Sequence, residues 1–125
     1  MQFYLTRVEL HHDNHSKDYD ELHKQLYQLK FYRVTHVLGH KGWFDLPSSE
    51  YRTLSDLSRA DIFTLVEKTI TGILVKNAGI TAHNVKQHYS LVVSDIDMGD
   101  DKKLKMSAHL QPTKNAEKLP PGEKL

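Results

Sequence analysis

The sequence predicts an α+β protein in which a four-stranded antiparallel sheet carries two helices on one face. Three observations support this. Tyr4-Leu5-Thr6-Arg7-Val8-Glu9-Leu10-His11 alternates apolar and polar residues at period two, the pattern of a half-buried strand. Tyr19, Leu22, Leu26 and Leu29 fall on one helical face, as do Ile62, Leu65, Val66, Ile70, Ile73 and Leu74. The elements read in the order strand, helix, strand, strand, helix, strand, which is the ferredoxin-like βαββαβ sandwich.

The first strand presents Tyr4, Thr6, Val8 and Leu10 on one face and Leu5, Arg7, Glu9 and His11 on the other. It is expected at the centre of the sheet, with the second face open. A polar loop follows. Ser16 or Asp18 caps the first helix, and Asp18, Asp20 and Glu21 place negative charge in its first turn. The helix should stop near Lys30. Phe31 to Leu38 reads as the second strand, Gly39-His40-Lys41-Gly42 as a turn, and Trp43 to Leu46 as the returning strand. Pro47 cannot donate to a ladder, so this strand belongs at an edge, with Glu50 to Leu54 continuing it.

Ser58 reads as the N-cap of the second helix, with Asp61 in the acid position of a capping box. That helix should run to about Asn77, with Gly79 as its C′ residue. Thr81 to Gln87 is expected to be a polar linker. Tyr89 to Asp95 reads as a last strand, central and buried on both sides for part of its length. Residues 1–97 then form one domain, and residues 98–125 are expected to be a flexible C-terminal tail. Within that tail, Leu104 to Leu110 could be a short helix or an extra strand.

The 125 residues carry a formal net charge of +1, which does not by itself announce nucleic-acid binding. Cysteine is absent, which excludes a disulfide scaffold, a thiolate metal site and a cysteine nucleophile. No leader-like segment opens the chain and no apolar stretch is long enough to span a bilayer, so a soluble cytoplasmic protein is expected. The His11-His12-Asp13-Asn14-His15 loop has metal-ligand chemistry. It lacks a matching cluster elsewhere, and solvation is the preferred reading. Neither a metal nor another cofactor is expected.

The open sheet face is the expected binding surface. RNA cleavage needs a base for the 2′-hydroxyl, an acid for the leaving oxygen and a cation for the phosphate. Arg7, Glu9 and His11 supply those types on one strand face and are the candidate catalytic residues. Arg33, Trp43, Phe44 and Arg52 are the candidate nucleic-acid contacts, the aromatics by stacking on bases. The alternatives are an Arg7–Glu9 surface ion pair and aromatic packing within the hairpin or a dimer interface.

Arg7-Val8-Glu9-Leu10-His11, then Asp18-Tyr19-x-x-Leu22-His23, Phe31-x-Arg33 and Leu46-Pro47-x-x-Glu50-Tyr51 form an ordered set of short motifs. The set covers roughly residues 3 to 95. It resembles the small bacterial proteins grouped with GhoS, the antitoxin of a type V toxin–antitoxin system. The resemblance implies a ferredoxin-like fold similar to Cas2 proteins. It also implies an endoribonuclease that cuts toxin mRNA. Where that family usually has Gly before the second strand, this chain has Lys30. The resulting expectation is a homodimeric endoribonuclease-type antitoxin acting on RNA without a metal. The alternatives are a non-catalytic dimeric interaction module and a Cas2-like Mg²⁺ nuclease, for which Glu9 and Asp13 would be the ligand candidates.

Overall fold

The structure is a computed structural model and describes residues 1–12, 16–96 and 110–121. It is an α+β protein. β1 (Gln2–Leu10) lies between β4 (Glu50–Ser55) and β5 (Tyr89–Asp95) in a three-stranded antiparallel sheet. β1 meets β4 from Gln2↔Ser55 to Arg7↔Glu50, and β5 from Tyr4↔Asp95 to Leu10↔Tyr89. β2 (Val34–Thr35) and β3 (Phe44–Asp45) form a separate two-stranded ladder. α1 (Ser16–Gln28) and α2 (Arg59–Asn77) pack against each other, and α2 against β5.

The alternation along β1 selects the covered face. Tyr4, Val8 and Leu10 join Leu22 and Leu26 of α1 and Ile62, Val66, Ile70, Ile73 and Leu74 of α2 in one buried cluster. Burial of these apolar side chains is the main favourable term holding sheet and helices together. Arg7 and Glu9, on the other face, are exposed.

Three strand expectations change. Phe31 to Leu38 is not one strand, because the segment is shared between two partners. Tyr32 exchanges both backbone hydrogen bonds with Arg52 of β4, at 2.9 and 2.7 Å, whereas Val34 and Thr35 pair with β3. Nor does β4 continue β3. Between them Pro47 to Ser49 turns the chain, with Ser49 at φ 68° and its carbonyl accepting from Val8 N–H at 3.0 Å. β4 can then pair with β1. Finally, β5 ends the three-stranded order instead of sharing its centre. Tyr89 is buried and Leu91 and Val93 pack on the core, but Val92 on the opposite face is 56% exposed.

Both ends of α2 and the C-terminal end of α1 follow their capping residues, whereas Ser16 and Asp18, the expected caps of α1, lie inside it. Ser58 Oγ accepts from Asp61 N–H at 3.1 Å, and Gly79 takes φ 68° beyond the end of α2. α1 ends in a Schellman-type arrangement, with Phe31 N–H to Leu26 O at 2.8 Å and Lys30 N–H to Tyr27 O at 3.0 Å. This requires positive φ at Lys30, which sits at 68°. The left-handed conformation strains a residue with a Cβ. Lys30→Gly should therefore stabilise the protein by about 0.5–1 kcal/mol, net of Gly's extra unfolded-state entropy. The midpoint of urea denaturation reads this directly, and an unchanged or lowered midpoint would contradict it.

The polar segment after α2 is partly ordered around a short 3-10 helix, Val85–His88, whose Val85 side chain is buried. Residues 110–121 lie along β3 and α1. Asp45 N–H donates to Gln111 O at 2.8 Å and Thr113 N–H to Trp43 O at 2.9 Å. Tyr27 Oη–H donates to Leu119 O at 2.8 Å, and Lys118 Nζ lies 3.2 Å from Asp45 Oδ1. All but Leu110 of the segment from Leu104 to Leu110 falls outside the described residues. No helix among the described residues is long and apolar enough to cross a membrane.

Candidate functional site

Arg7, Glu9 and His11 share the face of β1 that the helices leave open. By register Arg7 stands opposite Glu50 on β4 and Val92 on β5, and Glu9 opposite Ser90. Among the described residues, neither Arg7 nor Glu9 makes an ion pair. His11 Nε2 lies 2.7 Å from Ser90 Oγ. The row ends at a cleft of about 730 Å³ where the end of β1, the start of α1, the end of α2 and the start of β5 meet.

Three histidines line this cleft, His11 and His88 from neighbouring strand ends and His12 beside His11. The β1–β5 ladder continues one step beyond Leu10↔Tyr89, with His11 N–H donating to His88 O at 2.9 Å, and both residues line the cleft. Lys17, Asp18 and Glu21, from the first turns of α1, line it too. Within that lining His12 is paired with Asp18. Its Nε2 meets Asp18 Oδ2 at 2.5 Å, with side chains only 8% and 9% exposed. Asp18 is in the first turn of α1, where the helix dipole favours negative charge. The His12–Asp18 contact ties the end of β1 to the start of α1 and so holds the cleft's two walls in register. Asp13, Asn14 and His15 of the histidine-rich loop lie outside the described residues. Among the described residues no three His, Asp or Glu side chains are grouped to hold a metal ion.

The four candidate nucleic-acid contacts do not join one surface. Arg52 is 2% exposed, with its guanidinium carbon 5.2 Å from the ring centres of both Phe3 and Trp43. Trp43 in turn lies over His36, ring centres 3.6 Å apart. Phe44 meets His40 edge-on at 5.6 Å and bridges to Pro112. Arg33 is on the helix side, in a cleft of about 360 Å³ between α1 and the segment around Lys118.

That second cleft contains a hydrogen-bonded pair without a counterpart in the sequence reading. His23 Nδ1 lies 2.7 Å from the hydroxyl of Tyr51, which is fully buried in β4. Burial first, and then the Arg33 cation, lower the His23 pKa from 6.5 to about 4, against the opposing pull of Asp20. Burial likewise pushes the Tyr51 phenol well above its usual range. Elsewhere, burial followed by a hydrogen bond to Glu67 pushes the Tyr89 phenol up to about 12.

A depressed His pKa has a defined pH signature. As pH falls from 6.5 toward 4, the unfolded chain takes up a proton before the folded one does, so stability present above 6.5 is lost through that window. His23→Asn keeps an acceptor for Tyr51 and cannot titrate. Wild type should lose on the order of 1–2 kcal/mol more than the variant between about pH 7 and 4, solvent at the half-buried ring screening the remainder. Parallel acid slopes in urea titrations of the two proteins would contradict this.

Sequence reasoning missed His88, Lys17, the His12–Asp18 pair and the His23–Tyr51 pair. The signal for Lys17 and the His12–Asp18 pair was present in a histidine-rich strand end followed by a helix with an acidic first turn, whereas His88 depends on the register of β5. His23–Tyr51 joins a helix to a strand 28 residues away, which no local pattern reports. Neither the family models nor the curated proteins searched contain a match to this chain.

Proposed function

We propose that this α+β protein is an endoribonuclease of the GhoS-like antitoxin type, acting on single-stranded RNA in the cytoplasm as a homodimer. The observation that carries the reading is the placement of His11 and His88 on adjacent strand ends, both lining the cleft that Lys17 also lines. In the proposed reaction one imidazole takes the 2′-hydroxyl proton and the 2′ oxygen attacks the adjacent phosphorus. The bond from phosphorus to the 5′ oxygen breaks, and the second imidazole protonates that oxygen. The Lys17 ammonium balances charge on the phosphate. Arg7 and Glu9 extend the contact along β1, Arg7 toward the RNA backbone and Glu9 toward base or ribose donors.

The finer fold belongs to the same reading. The Tyr32–Arg52 bridge sets the second segment beside β4, which supports a ferredoxin-like sandwich whose fourth strand has shortened to that bridge. A second reading, a non-catalytic dimeric module, is favoured by the apolar exposure of Val92 (56%) and Leu54 (37%) on the two strands flanking β1.

The deciding assay is cleavage of a labelled, unstructured AU-rich RNA in EDTA and in Mg²⁺, with His11→Ala and the Arg7→Ala, Glu9→Ala double variant beside wild type. Cleavage that survives EDTA and disappears in His11→Ala supports the proposal. Cleavage only with Mg²⁺ would replace it by the Cas2-like reading. Neither cleavage nor binding by wild type would leave the interaction module.

A further inference from the structure

We propose that the cleft between α1 and the Lys118 segment is a second ligand site, separate from the strand-end cleft, which binds a phosphate monoester of mononucleotide size. The inference starts from the Tyr51 hydroxyl. Its side chain is fully buried, and its one partner among the described residues is His23 Nδ1 at 2.7 Å. A buried O–H donates its hydrogen rather than leave it unpaired, so Nδ1 accepts. The neutral imidazole then carries its own hydrogen on Nε2, on the side of the ring away from Tyr51. That N–H has no protein partner among the described residues, and His23 lines the cleft. The buried phenol thus fixes the ring as a hydrogen-bond donor.

Arg33 lines the same cleft. Among the described residues it makes no ion pair and no side-chain hydrogen bond, so its guanidinium is available to an incoming oxyanion. A planar guanidinium is suited to bidentate contact with phosphate. Lys24 and Lys118 add positive charge, while Asp20 and Glu117 oppose it. With the Asp45 carboxylate on Lys118 these charges balance, so selectivity rests on directed donors rather than on net charge. Lys118 is already held by Asp45 at 3.2 Å, which leaves Arg33 and the His23 N–H as the principal phosphate donors. The volume of about 360 Å³ exceeds what free phosphate needs and suits a mononucleotide. Tyr27 offers an aromatic wall for the base, its hydroxyl being committed to Leu119 O at 2.8 Å.

The test is calorimetric titration of the full chain with adenosine monophosphate, adenosine and inorganic phosphate. The monophosphate should bind at least about tenfold more tightly than either other probe, and Arg33→Ala should weaken it at least about tenfold. Lys24→Ala, at an exposed position on α1, provides a variant safe for folding and should weaken binding about two- to threefold. The monophosphate should also raise the melting temperature of wild type but not of Arg33→Ala. Equal binding of adenosine, equal binding of inorganic phosphate, wild-type affinity in a folded Arg33→Ala, or no binding by wild type would each overturn the proposal. His11→Ala should leave this binding unchanged, so failure of the RNA reading and failure of this one are distinguishable.

Discussion

His88→Ala should lower the rate of RNA cleavage by about 10²–10⁴-fold, the range for removing a positioned acid or base, while moving the melting temperature little. His88 stands at the junction of a short 3-10 helix and β5, partly exposed and lining the cleft. Its backbone carbonyl, which receives His11 N–H at 2.9 Å, survives the substitution, so the strand ends stay joined. His11→Ala should show a loss of the same size, and the double variant should lose little more than either single one, because acid and base act as a unit. If both single variants cleave at wild-type rates with unchanged folding, the two imidazoles are not the acid and base. Single-turnover cleavage of a labelled RNA at several pH values is the measurement.

Arg52→Ala should destabilise the protein by about 2–4 kcal/mol, the largest stability effect expected at a candidate site residue. Arg52 fills space on the side of the sheet away from the helices and is 2% exposed, with its guanidinium 5.2 Å from both Phe3 and Trp43. Truncation removes two cation–π contacts and leaves a void that neither ring can fill without moving. Arg52→Lys should recover only part of the loss, because an ammonium does not stack as a planar group does. Once the fraction folded is allowed for, RNA affinity should be unchanged. Urea denaturation combined with RNA titration separates the two roles. A stable Arg52→Ala protein that has lost RNA affinity would make Arg52 a contact residue and contradict the packing account.

The contrast between Arg52 and Arg7 marks where the sequence is legible. Period-two alternation identified β1, its covered face and the exposure of Arg7 and Glu9, because these follow from local backbone geometry. Helical spacing and caps likewise placed α1, α2, Ser58 and Gly79. What alternation cannot report is which segment lies over the open face. Arg52 has the parity of a surface residue, and the Trp43 ring, brought over it just before β3, helps to cover it. The reduced second strand has a similar origin. Tyr32 and Val34 serve different partners, and pairing choices of that kind depend on the whole chain. Arg33 illustrates the same limit: expected beside Arg7, it lies in the cleft with His23 because its segment turns between two ladders.

At the candidate site, residue chemistry was legible and juxtaposition was not. His11 could be named from the end of a strand. His88 could not, because its pairing with His11 depends on the antiparallel register of β5, seventy-odd residues away. His12–Asp18 is more local, but the first-turn acid of a helix is ordinarily read as a capping charge. Burial of both partners turns it into a tie between strand and helix.

The central claim, acid–base RNA cleavage at the strand-end cleft, is tested most directly by an RNA oligonucleotide beside its 2′-deoxy counterpart, in EDTA, with the product ends identified by mass spectrometry. The account predicts cleavage of the RNA alone, with 2′,3′-cyclic phosphate ends that disappear in His11→Ala and His88→Ala. An uncut RNA, or equal cleavage of the deoxy strand, would contradict it.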